Sequence, residues 1–151
     1  MTKCIHCGNT KFRSTTHNDS RKIAGRSFTT EVSANVCAAC GELTLAAEMV
    51  SRIELQIARE LAEAGERSGE AFRFMRKAAG VPGKELAELF DVTPETVSRW
   101  ENGKTPVERR ALALLTAIVS DAQGGTPSTI ERLRGLQAPK KLGKTVRVNL
   151  T

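Results

Sequence analysis

Two copies of the pattern Cys-x-x-Cys-Gly limit what this chain can fold into more than any other feature. They lie at residues 4–8 and 37–41, and together they contain every cysteine of the sequence. Four thiolates from two such knuckles form a closed tetrahedral site for one structural Zn²⁺ ion, and the glycine after each pair permits a tight turn. The pattern therefore predicts four metal ligands, which are Cys4, Cys7, Cys37 and Cys40.

Other uses of these cysteines fit the sequence less well. A redox-active pair would need a βαβ context, which the sequence lacks, and it would leave the second pair unexplained. Disulfides are rare in the cytoplasm. We expect the chain there because its start has no apolar signal segment and no apolar run is long enough to span a membrane. Four cysteine ligands also fill the coordination position that a catalytic zinc leaves open for water or substrate. No further ligand is then needed, so His6 and His17 are expected to be surface residues.

The residues between the knuckles have the composition of a β-hairpin. Residues 11–18 and 27–36 are rich in Thr, Ser, Val and Phe, with Gly25 between them. We therefore expect a zinc ribbon, in which a hairpin joins two knuckles, followed by a long helix over about residues 44–64. This helix has an apolar stripe that either packs on the ribbon or binds a partner protein, and its members are Met49, Ile53, Ile57 and Leu61.

Residues 87–104 have the pattern of a helix-turn-helix. Thr93 is a suitable N-cap, Pro94 stands at the first helical position, and Asn102-Gly103 can end the helix. Val97 and Trp100 share the inward face, which favours a core role for Trp100 over base stacking. The opposite, polar face has the shape that enters a DNA major groove. The predicted DNA-binding residues are Glu95, Thr96, Ser98, Arg99, Asn102 and Lys104.

The side chains of this polar face suggest different contacts with DNA. Arg99 can donate two hydrogen bonds to guanine, Glu95 can accept one from cytosine, and Thr96 can touch a thymine methyl group or a phosphate. Asn102 and Lys104 suit the DNA backbone. The alternative is that Glu95 and Arg99, four residues apart, only pair with each other on a solvated helix.

Neighbouring segments complete a predicted helical bundle. Helices are expected over residues 71–79 and 82–90, the second with Leu86 and Leu89 inward. A capping box from Thr105 to Glu108 is expected to open a helix that runs to about residue 120. Its expected apolar stripe consists of Val107, Ala111, Leu114, Leu115 and Ile118.

The fold class predicted from these elements is α+β with two small domains. Residues 1–65 form the zinc ribbon with its following helix, 66–70 a linker, and 71–123 an all-α helix-turn-helix domain. Residues 124–151 form a tail.

The tail carries most of the excess positive charge. The net charge of the chain is +6, and residues 124–151 contribute six Lys and Arg against one Glu. Residues 126–133 are expected to form a short helix, and residues 139–144 could follow DNA phosphates. Residues 144–150 alternate like a strand, which could pair with its twin in a dimer, dock on the ribbon or stay loose. A disordered, solubilising end is the alternative for the whole tail.

The segments 84–90, 92–93 and 97–104 resemble the Xre/Cro-type helix-turn-helix. Together with the four-cysteine ribbon, they make the whole chain similar to the MqsA-type antitoxins of bacterial toxin–antitoxin pairs. The resemblance implies that the zinc domain neutralises a toxin protein, and that the C-terminal domain dimerises and represses its operon by binding a DNA palindrome. The chain departs from the family pattern in two places. Pro82-Gly83 stand where the family often has Gln, and Asp91 stands where the turn often has Gly, although Asp tolerates a left-handed backbone.

A second hypothesis is a stand-alone zinc-ribbon transcriptional regulator that has no toxin partner. An enzyme is not expected, because the sequence has no apparent Ser/His/Asp set, open metal site or Gly-rich phosphate loop. Both hypotheses predict binding to double-stranded operator DNA, and a single helix-turn-helix covers only a half-site, which favours a homodimer.

Overall fold

The computed structural model describes residues 2–124 and 138–150, and it has the α+β architecture that the sequence predicts. A long hairpin opens the chain, built from β1 (Phe12–Ile23) and β2 (Arg26–Cys37). Two short strands, β3 (Leu43–Thr44) and β4 (Thr145–Arg147), pair with β2 at its opposite ends. The described residues contain five helices, which are α1 (Ala47–Glu63), α2 (Gly69–Ala78), α3 (Gly83–Leu89), α4 (Pro94–Glu101) and α5 (Arg109–Ala122).

The hairpin is longer than its composition indicates. Its antiparallel register runs from Ile23 opposite Arg26 to Phe12 opposite Cys37. The two-residue turn consists of Ala24 and Gly25, with φ values of 52° and 72°, as a type I′ turn requires. The polar residues before the turn gave no strand signal, but pairing with β2 extends β1 through them.

One face of β2 points into the protein. Phe28, Thr30, Val32 and Ala34 are buried and alternate with more exposed residues, as the two-residue period of a strand requires. Phe28 and Val32 join the hydrophobic core of the helices. The sheet therefore shares its core with the helical part of the chain.

Helix α1 packs mainly against α2 and α5 and to a smaller extent against β2. Ile53, Ile57 and Leu61 of its apolar stripe are fully buried. The sequence left two arrangements open for this stripe, packing on the ribbon or binding a partner protein. In the structure it packs mainly on other helices instead. The division of the chain into domains near residues 65 and 71 stays a prediction.

Three details of the helical part differ from the sequence-based expectation. Leu89 and Leu114 were expected inward, but they are 62% and 46% exposed. The helix expected to begin near Pro106 begins at Arg109, and the N-cap residue Glu108 makes no side-chain capping bond. The capping-box prediction is therefore wrong. The inward face of α5 is instead shifted around the helix and includes Leu112 and Val119.

The described part of the tail folds back onto the sheet. Strand β4 pairs in parallel with β2, with Phe28 opposite Val146. Of the three arrangements considered for this strand, docking on the ribbon is the one observed. The short helix expected over residues 126–133 lies outside the described residues. No helix in residues 2–124 or 138–150 is both long enough and apolar enough to cross a membrane.

Candidate metal centre and candidate DNA-binding face

The two cysteine knuckles have matching backbone geometry. The N–H of Gly8 donates to the carbonyl of Cys4 at 2.8 Å, and that of Gly41 donates to the carbonyl of Cys37 at 3.0 Å. Both glycines have φ of 75°, a left-handed conformation that most other residues adopt only with strain. The first knuckle precedes β1 and the second follows β2, so the antiparallel pairing of the hairpin brings the knuckles together.

The four sulfur atoms form a compact cluster. All four Sγ atoms lie within 4.8 Å of one another, and the Cys4–Cys40 and Cys7–Cys37 separations are 3.6 and 3.5 Å. A tetrahedral zinc site with Zn–S bonds of about 2.3 Å has sulfurs about 3.8 Å apart. The cluster is therefore positioned to hold a metal ion, and its size and four-thiolate donor set fit zinc.

The surroundings of Cys37 and Cys40 shift the pKa values of their thiols in opposite directions. The backbone N–H groups of Cys40 and Ala39 donate toward the Cys37 sulfur and lower the pKa of this thiol to about 6. At Cys40 the backbone N–H of Glu42 lowers the pKa, but partial desolvation and the neighbouring thiols outweigh it and raise the pKa to about 12. The Asn9 side-chain amide also lies 3.6 Å from the Cys37 sulfur. The surroundings thus favour the thiolate form at Cys37 more than at Cys40.

Local sequence signals set the ends of α4. The hydroxyl of Thr93 accepts a hydrogen bond from the Thr96 N–H at 3.1 Å, and Pro94 begins the helix. At the other end Gly103 has φ of 70°, and the N–H of Lys104 donates to the Arg99 carbonyl at 2.9 Å. This is the Schellman arrangement that a glycine after a helix favours.

The inward face of α4 is anchored by Val97 and Trp100, which are 2% and 3% exposed. The Trp100 ring packs edge-on against Phe72 of α2, with ring centroids 5.7 Å apart. This confirms the predicted core role of Trp100. The turn between α3 and α4 contains Asp91 with φ of 53°, so the residue that replaces the usual glycine does adopt a left-handed backbone.

The outward face of α4 carries the predicted DNA-binding side chains. Glu95 and Arg99 are exposed and form an ion pair of 2.6 Å. The Asn102 amide donates to the Ser98 hydroxyl at 3.2 Å. The residues that line a shallow, open depression on this surface are Glu95, Ser98, Arg99, Lys104 and Thr105.

Two of the predicted residues differ from the rest in their surroundings. Thr96 is partly buried, and its hydroxyl lies 2.9 Å from that of Thr93. Lys104 lies beyond the end of α4, where the C-terminal turn presents it beside the same depression. We define the α4 face as Glu95, Thr96, Ser98, Arg99, Asn102 and Lys104.

Sequence reasoning missed the ion pair that fixes α4 to α2. The Arg76 guanidinium donates two hydrogen bonds to the Glu101 carboxylate, at 2.5 and 3.1 Å, and a third at 2.9 Å to the carbonyl of Val81. Both side chains are only 11% exposed. In the sequence Arg76 directly follows Met75, which is buried. No local pattern indicates that its partner, Glu101, lies 25 residues further along the chain.

Most of the chain is similar to a known protein family. A family model described as the antitoxin component of a bacterial toxin–antitoxin system, MqsA, matches residues 2–123. The matched region contains the cysteine cluster and all five helices, and it ends before the described tail. No curated protein matches the chain.

Proposed function

Because the chain belongs to the MqsA antitoxin family, we propose that it binds and neutralises a toxin protein through its N-terminal part and represses its own operon as a dimer. The antitoxin role follows from the family. Repression, the dimer, the palindromic operator and zinc as the metal are further parts of the proposal. The family assignment favours this function over a regulator without a toxin.

The observation that carries the DNA-binding part is the two-sided character of α4. Its apolar side is buried, and contacts with Phe72 and Arg76 of α2 fix its position. Its other side is polar and exposed. A short helix presented in this way suits entry into a major groove, with residues near its N-terminus toward the bases.

The Glu95–Arg99 ion pair is compatible with this role. Exposed pairs of this kind contribute at most about 1 kcal/mol, so DNA can compete for either side chain. We assign guanine recognition to Arg99, cytosine recognition to Glu95, and contacts with backbone or bases to Thr96 and Ser98. Asn102 and Lys104 contact phosphates.

The test is binding of operator DNA, taken from the region upstream of this gene, by an Arg99→Ala variant. We expect loss of about 1–3 kcal/mol of specific binding, which is roughly 5- to 150-fold in affinity. Fluorescence anisotropy with labelled DNA gives the affinity.

Arg59→Ala is a matched control for this experiment. Arg59 also lies on a helix, is 55% exposed where Arg99 is 54% exposed, and pairs with a glutamate four residues along. The control should bind like the unchanged protein. Equal affinities of the Arg99 and Arg59 variants would rule out base recognition by Arg99.

The proposed metal is one structural Zn²⁺ held by Cys4, Cys7, Cys37 and Cys40. The spacing of their sulfurs and a donor set of four thiolates support this assignment. The ion would join the two ends of a hairpin whose knuckle end has few buried apolar residues, and would thereby fix the surface that a toxin meets.

A further inference from the structure

The segment 142–150 lies along the β2 edge opposite β1. Its strand β4 pairs with residues 27–29 of β2, in register from Ser27 opposite Thr145 to Thr29 opposite Arg147. Side chains of α1 reach the same segment, since Arg52 donates to the carbonyl of Leu150. The tail thus lies between the β2 edge and Arg52 of α1, and we call this position the edge groove.

Most of the polar contacts in the edge groove involve the main chain of the tail. The Ser27 N–H donates to the Lys144 carbonyl at 2.5 Å, and the Val148 N–H donates to the Thr29 carbonyl at 2.6 Å. Arg26 donates to the carbonyl of Leu142 at 2.7 Å. Main-chain contacts accept many sequences, and this is how sheets bind added strands from other chains.

Alternate side chains of the tail supply the selectivity. Val148 is 2% exposed and belongs to the hydrophobic core, and Val146 and Leu150 pack against that core from its margin. Thr145 and Arg147, between them, are exposed. A preferred occupant is therefore an extended peptide with apolar residues at every second position.

The tail differs from the hairpin strands in where it lies relative to the family match and in how little of it pairs. The walls of the edge groove belong to the region that the family model matches, residues 2–123, whereas the occupant lies beyond it. The pairing is parallel and spans three residues, and a single side chain of β4 and its flanks, Val148, is fully buried. The segment is thus held at the β2 edge by a short pairing and by one buried anchor, Val148.

We propose that the edge groove is a binding site for extended peptides, and that residues 142–150 are its resident, exchangeable occupant. A strand of a partner protein with the same apolar alternation competes with the tail for the β2 edge. The inference goes beyond the proposed function, because it holds whether or not the chain binds DNA or neutralises a toxin.

The experiment measures binding of a fluorescent peptide of residues 138–150 to the full-length protein and its variants. In the unchanged protein the attached tail acts at a local concentration of about millimolar and excludes micromolar peptide. Val148→Asp removes the buried anchor of the tail and should free the groove. We expect the peptide to bind this variant at least about tenfold more tightly than it binds the unchanged protein.

Thr145→Asp is the matched control, because it adds the same charge to an exposed position of the same segment. It should exclude the peptide as the unchanged protein does. A peptide that itself carries the Val148→Asp change should bind none of the proteins.

A second variant covers the case in which Val148→Asp does not fold. Val148→Ala keeps the main-chain pairing and loses only part of the apolar contact, and its peptide affinity should lie between those of the unchanged protein and Val148→Asp. If Val148→Asp fails to fold, as judged by circular dichroism, the Val148→Ala result decides. Equal peptide binding by the folded Val148 variants and by Thr145→Asp would overturn the proposal, as would equal binding of the two peptides.

Discussion

Trp100 and Arg76 both hold α4 in place, but only the tryptophan is predictable from the sequence. Its spacing from Val97 puts both on one helix face, and the structure confirms that this face is buried. Arg76 is charged, and the sequence pattern alone predicts that its side chain is exposed. Its burial depends on Glu101, which the fold brings from another helix. Leu89 and Leu114 show the opposite error, because apolar residues with helical spacing still lie outward where none of the described elements covers them.

The buried pair leads to a prediction about stability. Glu101→Gln leaves the Arg76 guanidinium buried without a counter-charge, and we expect a loss of about 3–5 kcal/mol in the free energy of unfolding. Urea denaturation measures it. Glu63→Gln is the control, since it breaks the exposed pair with Arg59 and should cost less than about 1 kcal/mol. Similar losses in the two variants would show that the Arg76–Glu101 pair does not fix α4 to α2.

At the scale of elements, local patterns predicted the hairpin and the five helices but not how they pack. The Ser/Thr/Val composition, Gly25 and the Thr93-Pro94 cap are local signals, and each corresponds to an observed feature. The stripe of α1 indicates only that some surface covers it. That α2 and α5 supply most of this surface depends on long-range contacts. The predicted start of α5 was wrong because Thr105-Pro106 resembles a helix cap. In the structure Glu108 is still extended, and the helix begins at Arg109.

The contact between α2 and α4 gives a prediction at this scale. A methyl group on Gly69, at the start of α2, would lie 2.2 Å from the carbonyl oxygen of Trp100, so the two helices would have to separate. We expect Gly69→Ala to destabilise the protein by about 1–3 kcal/mol in thermal or urea denaturation.

Gly83→Ala provides the comparison for this prediction. Gly83 also begins a helix, but the nearest atom to its added methyl would be 3.8 Å away, on the Arg76 side chain. Its stability should be unchanged or slightly higher, because alanine favours helices over glycine. A Gly69→Ala variant as stable as Gly83→Ala would contradict the close packing of α2 on α4.

At the scale of the whole molecule, one core links the sheet to the helices, and the cysteine cluster lies outside it. The sequence singled out the four cysteines that the structure brings together, because knuckle spacing is a local signal. It did not predict that the tail would dock on β2, because an alternating strand pattern specifies no partner. The continuous core also means that residues 1–65 would expose the stripe of α1 if they were cut from the rest.

The thiol pKa values predict how metal binding depends on pH. Near pH 7 Cys37, with a pKa of about 6, is mainly thiolate, whereas Cys40, with a pKa of about 12, keeps its proton. Zinc must displace protons from the cluster, so affinity should rise with pH and fall as the solution is acidified through pH 6. Competition with a chromogenic chelator across pH 5–8 measures this. A pH-independent affinity would contradict a thiolate site, and a Cys40→Ser variant provides the control with one ligand removed.

The measurement that tests the central claim most directly is a growth assay with the full-length protein. The reading frame adjacent to this gene is induced in a bacterial host, alone or together with this chain, and a version of the chain with an early stop codon is the control. We predict growth arrest that the intact chain relieves and the interrupted one does not. The Arg99→Ala variant should relieve it equally, since neutralisation is assigned to the N-terminal part. Absence of arrest, or arrest that the intact chain fails to relieve, would contradict the assignment of this protein as the antitoxin of that partner.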